Sequence, residues 1–321
     1  MKRGLLALAG VAFGGITVAA SALAQDQFPS RPVQLIVPAT PGGPVDTAVR
    51  LIEPSLSAAL GQPVVLLNKP GASGTLGMRD VATAEPNGYT IGQGVNSIFT
   101  ITRISGTSVP FTLDDFSLLG NYATDVSVLA VSADAPWQTL DDIVAYVHAN
   151  PGKLNYASAG IGTVSSLSMQ AMAHHFKLNM VAVPFPGGAQ LTTAILGKQV
   201  DIGMVPYTTG AAMFESKKLR ALVTTAPNRL PKLLDVPTFA EKGIGVSGLN
   251  LIMGLYAPRG LSDGVQTVLV QDLAKAAKDP SFISKIEAIG LFGQYEEPNR
   301  ARARLESEYN DIVALNRELQ N

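Results

Sequence analysis

Val33-Gln34-Leu35-Ile36-Val37 is an apolar run broken only by Gln34, Thr40-Pro41-Gly42-Gly43-Pro44 follows it as a turn, and a helical pattern opens near Asp46. This is the order strand, loop, helix. The same reading fits Val64 to Leu67, Thr90 to Gly92, Val126 to Val131, Leu154 to Ala157, Met180 to Val183, Asp201 to Val205 and Leu219 to Thr225. Short β-rich runs alternating with helical patterns indicate an α/β protein with mainly parallel sheets, and this many strands exceed one small sheet. Helices are expected over Leu140 to Ala149 and over Val265 to Lys278, where Val265, Val268, Leu269, Leu273 and Ala276 share a face. A last helix, Arg300 to Leu319, places Leu305, Tyr309, Ile312, Leu315 and Leu319 on one stripe. No Gly/Ser linker divides the chain, so two domains would be joined at strands.

Composition narrows the function. The chain has 321 residues, 46% hydrophobic and 15% charged, which describes a well-packed protein of about two domains. Its 24 Lys and Arg stand against 25 Asp and Glu, leaving no basic excess for a phosphate backbone, so nucleic acid is not an expected partner. The lack of cysteine excludes disulfides, thiolate metal sites and a cysteine nucleophile. Three histidines remain: His174 and His175 are adjacent and point about 100° apart on a helix, so they cannot share a metal, and His148 suits a helix C-terminus. No metal site is expected. At the N-terminus Lys2 and Arg3 precede an uncharged stretch ending in Ala22-Leu23-Ala24, the pattern of a signal peptide over residues 1–24 cleaved after Ala24. The competing reading is a retained anchor. The mature protein is expected to be exported to the periplasm.

Three glycine-rich loops each follow a strand and open toward a helix: Thr40 to Asp46, Ser158 to Thr163, and Pro184 to Gly188. Such loops present unpaired backbone N–H groups at a helix N-terminus, where the dipole favours an anion such as a carboxylate. The competing reading is that Gly and Pro only make tight turns. Gly160-Ile161-Gly162-Thr163-Val164-Ser165 departs from a dinucleotide fingerprint, since Ser165 replaces the third glycine and no acid follows about 20 residues on, so no cofactor is expected. Asp46 and Asp201 lie nearest the strand-end loops, as helix caps, loop braces or ligand contacts.

At these loops the sequence resembles the Bug proteins, the periplasmic solute receptors of tripartite tricarboxylate transporters. The likeness runs through Phe28-Pro29-Ser30-Arg31-Pro32-Val33, Pro41-Gly42-Gly43-Pro44-Val45-Asp46 with Arg50, Leu60-Gly61-Gln62-Pro63-Val64-Val65, Asn68-Lys69-Pro70-Gly71-Ala72-Ser73-Gly74, Pro86-Asn87-Gly88-Tyr89-Thr90, Asn150-Pro151-Gly152-Lys153-Leu154-Asn155-Tyr156, Lys218-Leu219-Arg220-Ala221-Leu222 and Val236-Pro237-Thr238. It implies an α/β two-domain periplasmic binding protein (flytrap) fold, each domain a mixed, mainly parallel sheet flanked by helices. Residues 25–124 and 248–321 would form domain one and 125–247 domain two. The ligand would lie between them, held by Thr40, Gly42, Gly43, Asp46, Asn96, Ser158, Gly160, Gly162, Thr163, Gly187 and Tyr207. The protein would be a monomer that passes a small carboxylated solute to membrane permease subunits. Phe185-Pro186 stands where the family usually has Tyr-Lys, and Ser166 where a His is common, so the solute is expected to carry one gripped carboxylate and a less polar remainder. The competing functions are an exported α/β hydrolase using a loop serine with His174 or His175, a receptor feeding a sensor kinase, and a structural protein without ligand.

Overall fold

The computed structural model describes residues 28–104, 109–158, 163–185, 188–245 and 249–320; the proposed signal peptide and its cleavage site lie outside them. Eleven strands form two sheets: β1 Val33–Val37, β2 Val64–Asn68, β3 Thr90–Val95, β4 Phe116–Asp125, β5 Ser127–Ser132, β6 Asn155–Ser158, β7 Val181–Pro184, β8 Ile202–Pro206, β9 Leu219–Thr224, β10 Leu251–Pro258 and β11 Phe292–Glu296. The first sheet has the order β11-β4-β10-β3-β1-β2 and the second β7-β6-β8-β5-β9. In the first, β1 pairs parallel with β2 and β3, and β10 runs antiparallel between β3 and β4. In the second, β6 pairs parallel with β7 and β8, and β5 runs antiparallel between β8 and β9. Each sheet is thus mixed: in the first, β10 and β11 run against the other four strands, and in the second β5 runs against the other four.

All eight sequence-read strands are present. The three others, β4, β10 and β11, lack a clean pattern because their glycines serve close packing. A Cβ on Gly254 of β10 would strike the Asn121 side chain on β4, and one on Gly293 of β11 would strike Ile283 and Ile286. Helix Pro44–Leu60 starts with proline in its first turn and stops at Gly61, whose φ of 67° suits a residue without Cβ. Its Ala48, Val49, Ile52 and Leu56 are buried in the first core. The expected helices are Leu140–Ala149, Asp263–Ala277 and Pro298–Gln320.

Helix Pro298–Gln320 ties the molecule together: Ala301 and Leu305 belong to the first core, Ile312 and Leu315 to a core of the second sheet. Its stripe also carries Glu308, a buried acid that the apolar periodicity gave no hint of. No helix among the described residues is long and apolar enough to cross a membrane.

The chain passes from β4 to β5 through Val126 alone and returns into β10 at Leu251. Ser127 pairs with Pro206 at the C-terminal end of β8, and Leu251 pairs with Asp125 at the C-terminal end of β4. Because β4 points the same way as β1 and β3, the C-terminal ends of both parallel sets meet at these crossings. This is the edge where open α/β sheets place ligands.

Candidate functional site

The first loop leaves β1 at Val37 and enters helix Pro44–Leu60 at Gly43, whose N-cap position has no side-chain cap. The 17-residue helix therefore points uncapped N–H groups and a partial positive charge at the crossing. Asp46 does not extend into that space. Its Oδ2 accepts from the Gly42 N–H (2.9 Å) and Arg50 Nε (2.8 Å), and its Oδ1 accepts from Arg50 Nη2 (3.0 Å) and Asn68 Nδ2 (2.8 Å). Asn68 also donates to the Ala39 carbonyl (2.9 Å), so β2 and the helix clamp both shoulders of the loop. Burial works against ionisation of Asp46, but the bonds from Arg50, Asn68 and Gly42 outweigh it and hold its pKa at about 2. Asp46 is a brace, and Arg50, spent on it, does not supply the loop with a free cation.

Gly42 adopts φ +85°, a left-handed conformation that requires glycine, whereas a Cβ on Gly43 would meet only the Thr40 carbonyl at 3.7 Å. Gly43 thus owes its value to open approach over the helix end. Thr40 is exposed beside it.

The second loop leaves β6 at Ser158. Thr163 caps the 12-residue helix Val164–His175 by accepting from the Ser166 N–H (3.2 Å). Ser158 Oγ donates to Ser166 Oγ (3.3 Å), which also accepts from Gln170 Nε2 (3.1 Å), building a neutral hydroxyl-amide cluster at the helix start. Gly160 and Gly162 lie outside the described residues, as do Pro186 and Gly187 of the third loop. Phe185 joins the third loop to the second through its N–H, which donates to the Ser158 carbonyl (2.8 Å), and its half-buried ring packs against a core of the second sheet.

Two expected contacts are corrected. Asn96 is buried, its Nδ2 donating to the Asn250 carbonyl (2.9 Å) and Glu308 Oε2 (2.9 Å) while its Oδ1 accepts from the Ile252 N–H (3.0 Å). Its polar atoms are spent joining β3, β10 and the last helix. Tyr207 is buried with its ring stacked between Phe214 and Phe292. Both residues follow strands that end at the crossing, and sequence position alone cannot tell a side chain facing the cleft from one turned into the core. Asp201 accepts from the Asn155 N–H (2.8 Å) at the opposite, N-terminal end of the second sheet, a loop brace. Replacing Asn96 with alanine is expected to cost about 2 kcal/mol of stability in urea denaturation, because three partners, one of them the buried Glu308, lose their bonds together.

Among the described residues the two candidate histidines stand apart from the loop serines. His174 and His175 end helix Val164–His175, about 16 Å along its axis from Thr163. His174 lies 3.8 Å from Glu318, and the His175 ring packs on Phe176. Asn68, which the sequence reading did not single out as a site residue, is the principal addition; its place at the end of β2 beside β1 was the available signal.

Residues 48–311 match the model of the tripartite tricarboxylate transporter family receptor. The chain is 35% identical over 276 residues to a UPF0065 protein of Bordetella pertussis, covering 86% of this chain and 85% of that one. The structure of the periplasmic binding protein BugD is similar with a TM-score of 0.76 and 29% identity, over 91% of this chain and 99% of that one. An adipate-bound protein of R. palustris gives a TM-score of 0.80 at 26% identity, over 91% and 98% of the two chains.

Proposed function

The chain belongs to the tripartite tricarboxylate transporter receptor family, and from that premise we propose that it captures a small carboxylated compound in the periplasm and passes it to the membrane subunits of such a transporter. The family and the similar structures are solute-binding proteins, so this one is a binding protein with the periplasmic binding protein fold. The observation that carries the finer reading is the uncapped N-terminus of helix Pro44–Leu60 at Gly43, braced from behind by Asp46 and set at the crossing between the sheets. A carboxylate fits there because backbone N–H groups and the helix dipole supply positive character without a cation.

The opposing loop offers hydroxyls and amides from Ser158, Thr163, Ser166 and Gln170, and none of these carries charge. The solute we propose therefore has one carboxylate on the first loop and a less polar body, an aliphatic or aromatic monoacid. The moving bodies we assign to residues 25–124 with 248–321 and to 125–247. Titration calorimetry with citrate, adipate and benzoate tests this reading. Saturable heat is expected for benzoate, while tight binding of citrate or adipate with no response to benzoate would overturn it.

A further inference from the structure

The crossing segments have two sides. Toward β1 and β6 lies the cleft of the glycine loops, and toward β11 and β9 lies a second crevice of about 770 Å³. None of the glycine-loop residues lines it. Its volume suits a small molecule, and its apolar wall is built by Val126, Phe239, Ile244, Leu249, Ile252 and Phe292.

Most of the charges along this crevice are already paired. Arg304 binds Glu296 through Nε (3.0 Å) and Glu308 through Nη1 (2.8 Å), and Arg229 binds Glu241 (2.9 Å). Asn121 Nδ2 donates to Glu296 (2.7 Å). Among the donors left over are the buried Tyr295 hydroxyl and two groups that carry the argument. The Arg300 guanidinium has no hydrogen bond or close ion pair among the described residues and is engaged only by a longer-range attraction to Glu296. Asn250 accepts from Thr225 Oγ1 at its Oδ1 (2.6 Å) and from Asn96 at its carbonyl, but its Nδ2 donates to nothing there. A guanidinium and a carboxamide donor beside an apolar wall match a molecule with an acidic head and an apolar body.

Asn250 is also a link in a chain of hydrogen bonds through the hinge. Ser127 N–H donates to Thr225 Oγ1 (2.9 Å), Thr225 to Asn250, and Asn96 joins Asn250 to Glu308 of the last helix. An occupant held by Asn250 would rest against the returning segment, on the far side of the axis from the front cleft. A rotation that opens the front narrows the rear, so filling the rear resists opening.

We propose that this rear crevice is a second small-molecule site, for an amphipathic anion, whose occupancy favours closure of the front cleft. The coupling rests on the function proposed above; the site itself does not. The probe is 8-anilinonaphthalene-1-sulfonate, followed by its own fluorescence. Saturable binding is expected, weakened about tenfold by Arg300→Ser and by Ala240→Trp, which fills the crevice from an exposed lining position, and unchanged by Gly43→Val. Absence of saturable binding, or binding that responds to Gly43→Val and not to the two crevice variants, overturns the site. With the probe saturating, the carboxylate identified by calorimetry should bind about fivefold more tightly; an unchanged or weaker affinity overturns the coupling. A protein that binds the probe as expected but none of the carboxylates refutes the proposed solute and leaves the rear site standing.

Discussion

Gly43→Val is expected to weaken solute binding about a hundredfold, close to 3 kcal/mol, while the protein unfolds at nearly its original denaturant midpoint. The backbone at Gly43 has φ −79° and ψ 169°, a conformation open to any residue, and an added Cβ meets only the Thr40 carbonyl at 3.7 Å. Folding therefore tolerates the change. Binding does not, because the isopropyl group stands over the helix N-terminus and blocks the approach of a carboxylate to the N–H groups. Gly42→Val separates the two effects: at φ +85° the variant loses about 1–2 kcal/mol of stability as well. Arg50→Gln is expected to change affinity less than Gly43→Val does, since the half-exposed guanidinium is engaged with Asp46. Calorimetry on the three variants decides the matter. Lost binding in Arg50→Gln with normal binding in Gly43→Val would replace the backbone cradle by a cation.

Asp125→Asn is expected to reduce the fall in stability as pH rises between pH 4 and 7. Asp125 ends β4 one residue before the crossing, buried, its Oδ2 accepting from Thr208 Oγ1 (2.7 Å) and its Oδ1 from the Thr208 N–H (3.4 Å). Burial pushes its pKa up from 3.8 to about 7, against the opposing hydrogen bonds from Thr208, Val126 and Tyr207. In the folded state the carboxyl keeps its proton up to about pH 7, whereas in the unfolded chain it releases it near pH 4. The folded state thus binds more protons across that window, and its stability falls as pH rises until both states are ionised. The full cost is about 4 kcal/mol, an order-of-magnitude figure. Asp46, whose pKa is lowered to about 2, acts in the opposite sense and below pH 4, so the two do not overlap. Denaturant midpoints at pH 5 and pH 8 should differ for the native chain and converge for Asp125→Asn, which rises at pH 8. A native chain with equal midpoints at the two pH values would contradict this account.

What the sequence determined by itself follows from local physics. Runs such as Val33 to Val37 and Leu219 to Thr224 are continuous enough in apolar or β-prone residues to read as strands. Gly42, Gly43 and Pro44 mark where one of them turns into a helix, and an ordered set of such junctions carries the family resemblance. The uncapped helix start at Gly43 was legible because Gly-Gly-Pro is itself a local signal. The remainder depends on contacts between residues far apart in the chain. The strands β4, β10 and β11 take their glycines from close approach to residues such as Asn121, and their pattern is unreadable without those neighbours. Asn96 and Glu308 lie 212 positions apart yet share a buried bond that ties the residue after β3 to the last helix. Likewise, the rear crevice exists only because the chain crosses twice between two sheets: its walls come from both, and side-chain identity alone does not say which groups will meet across the crossing.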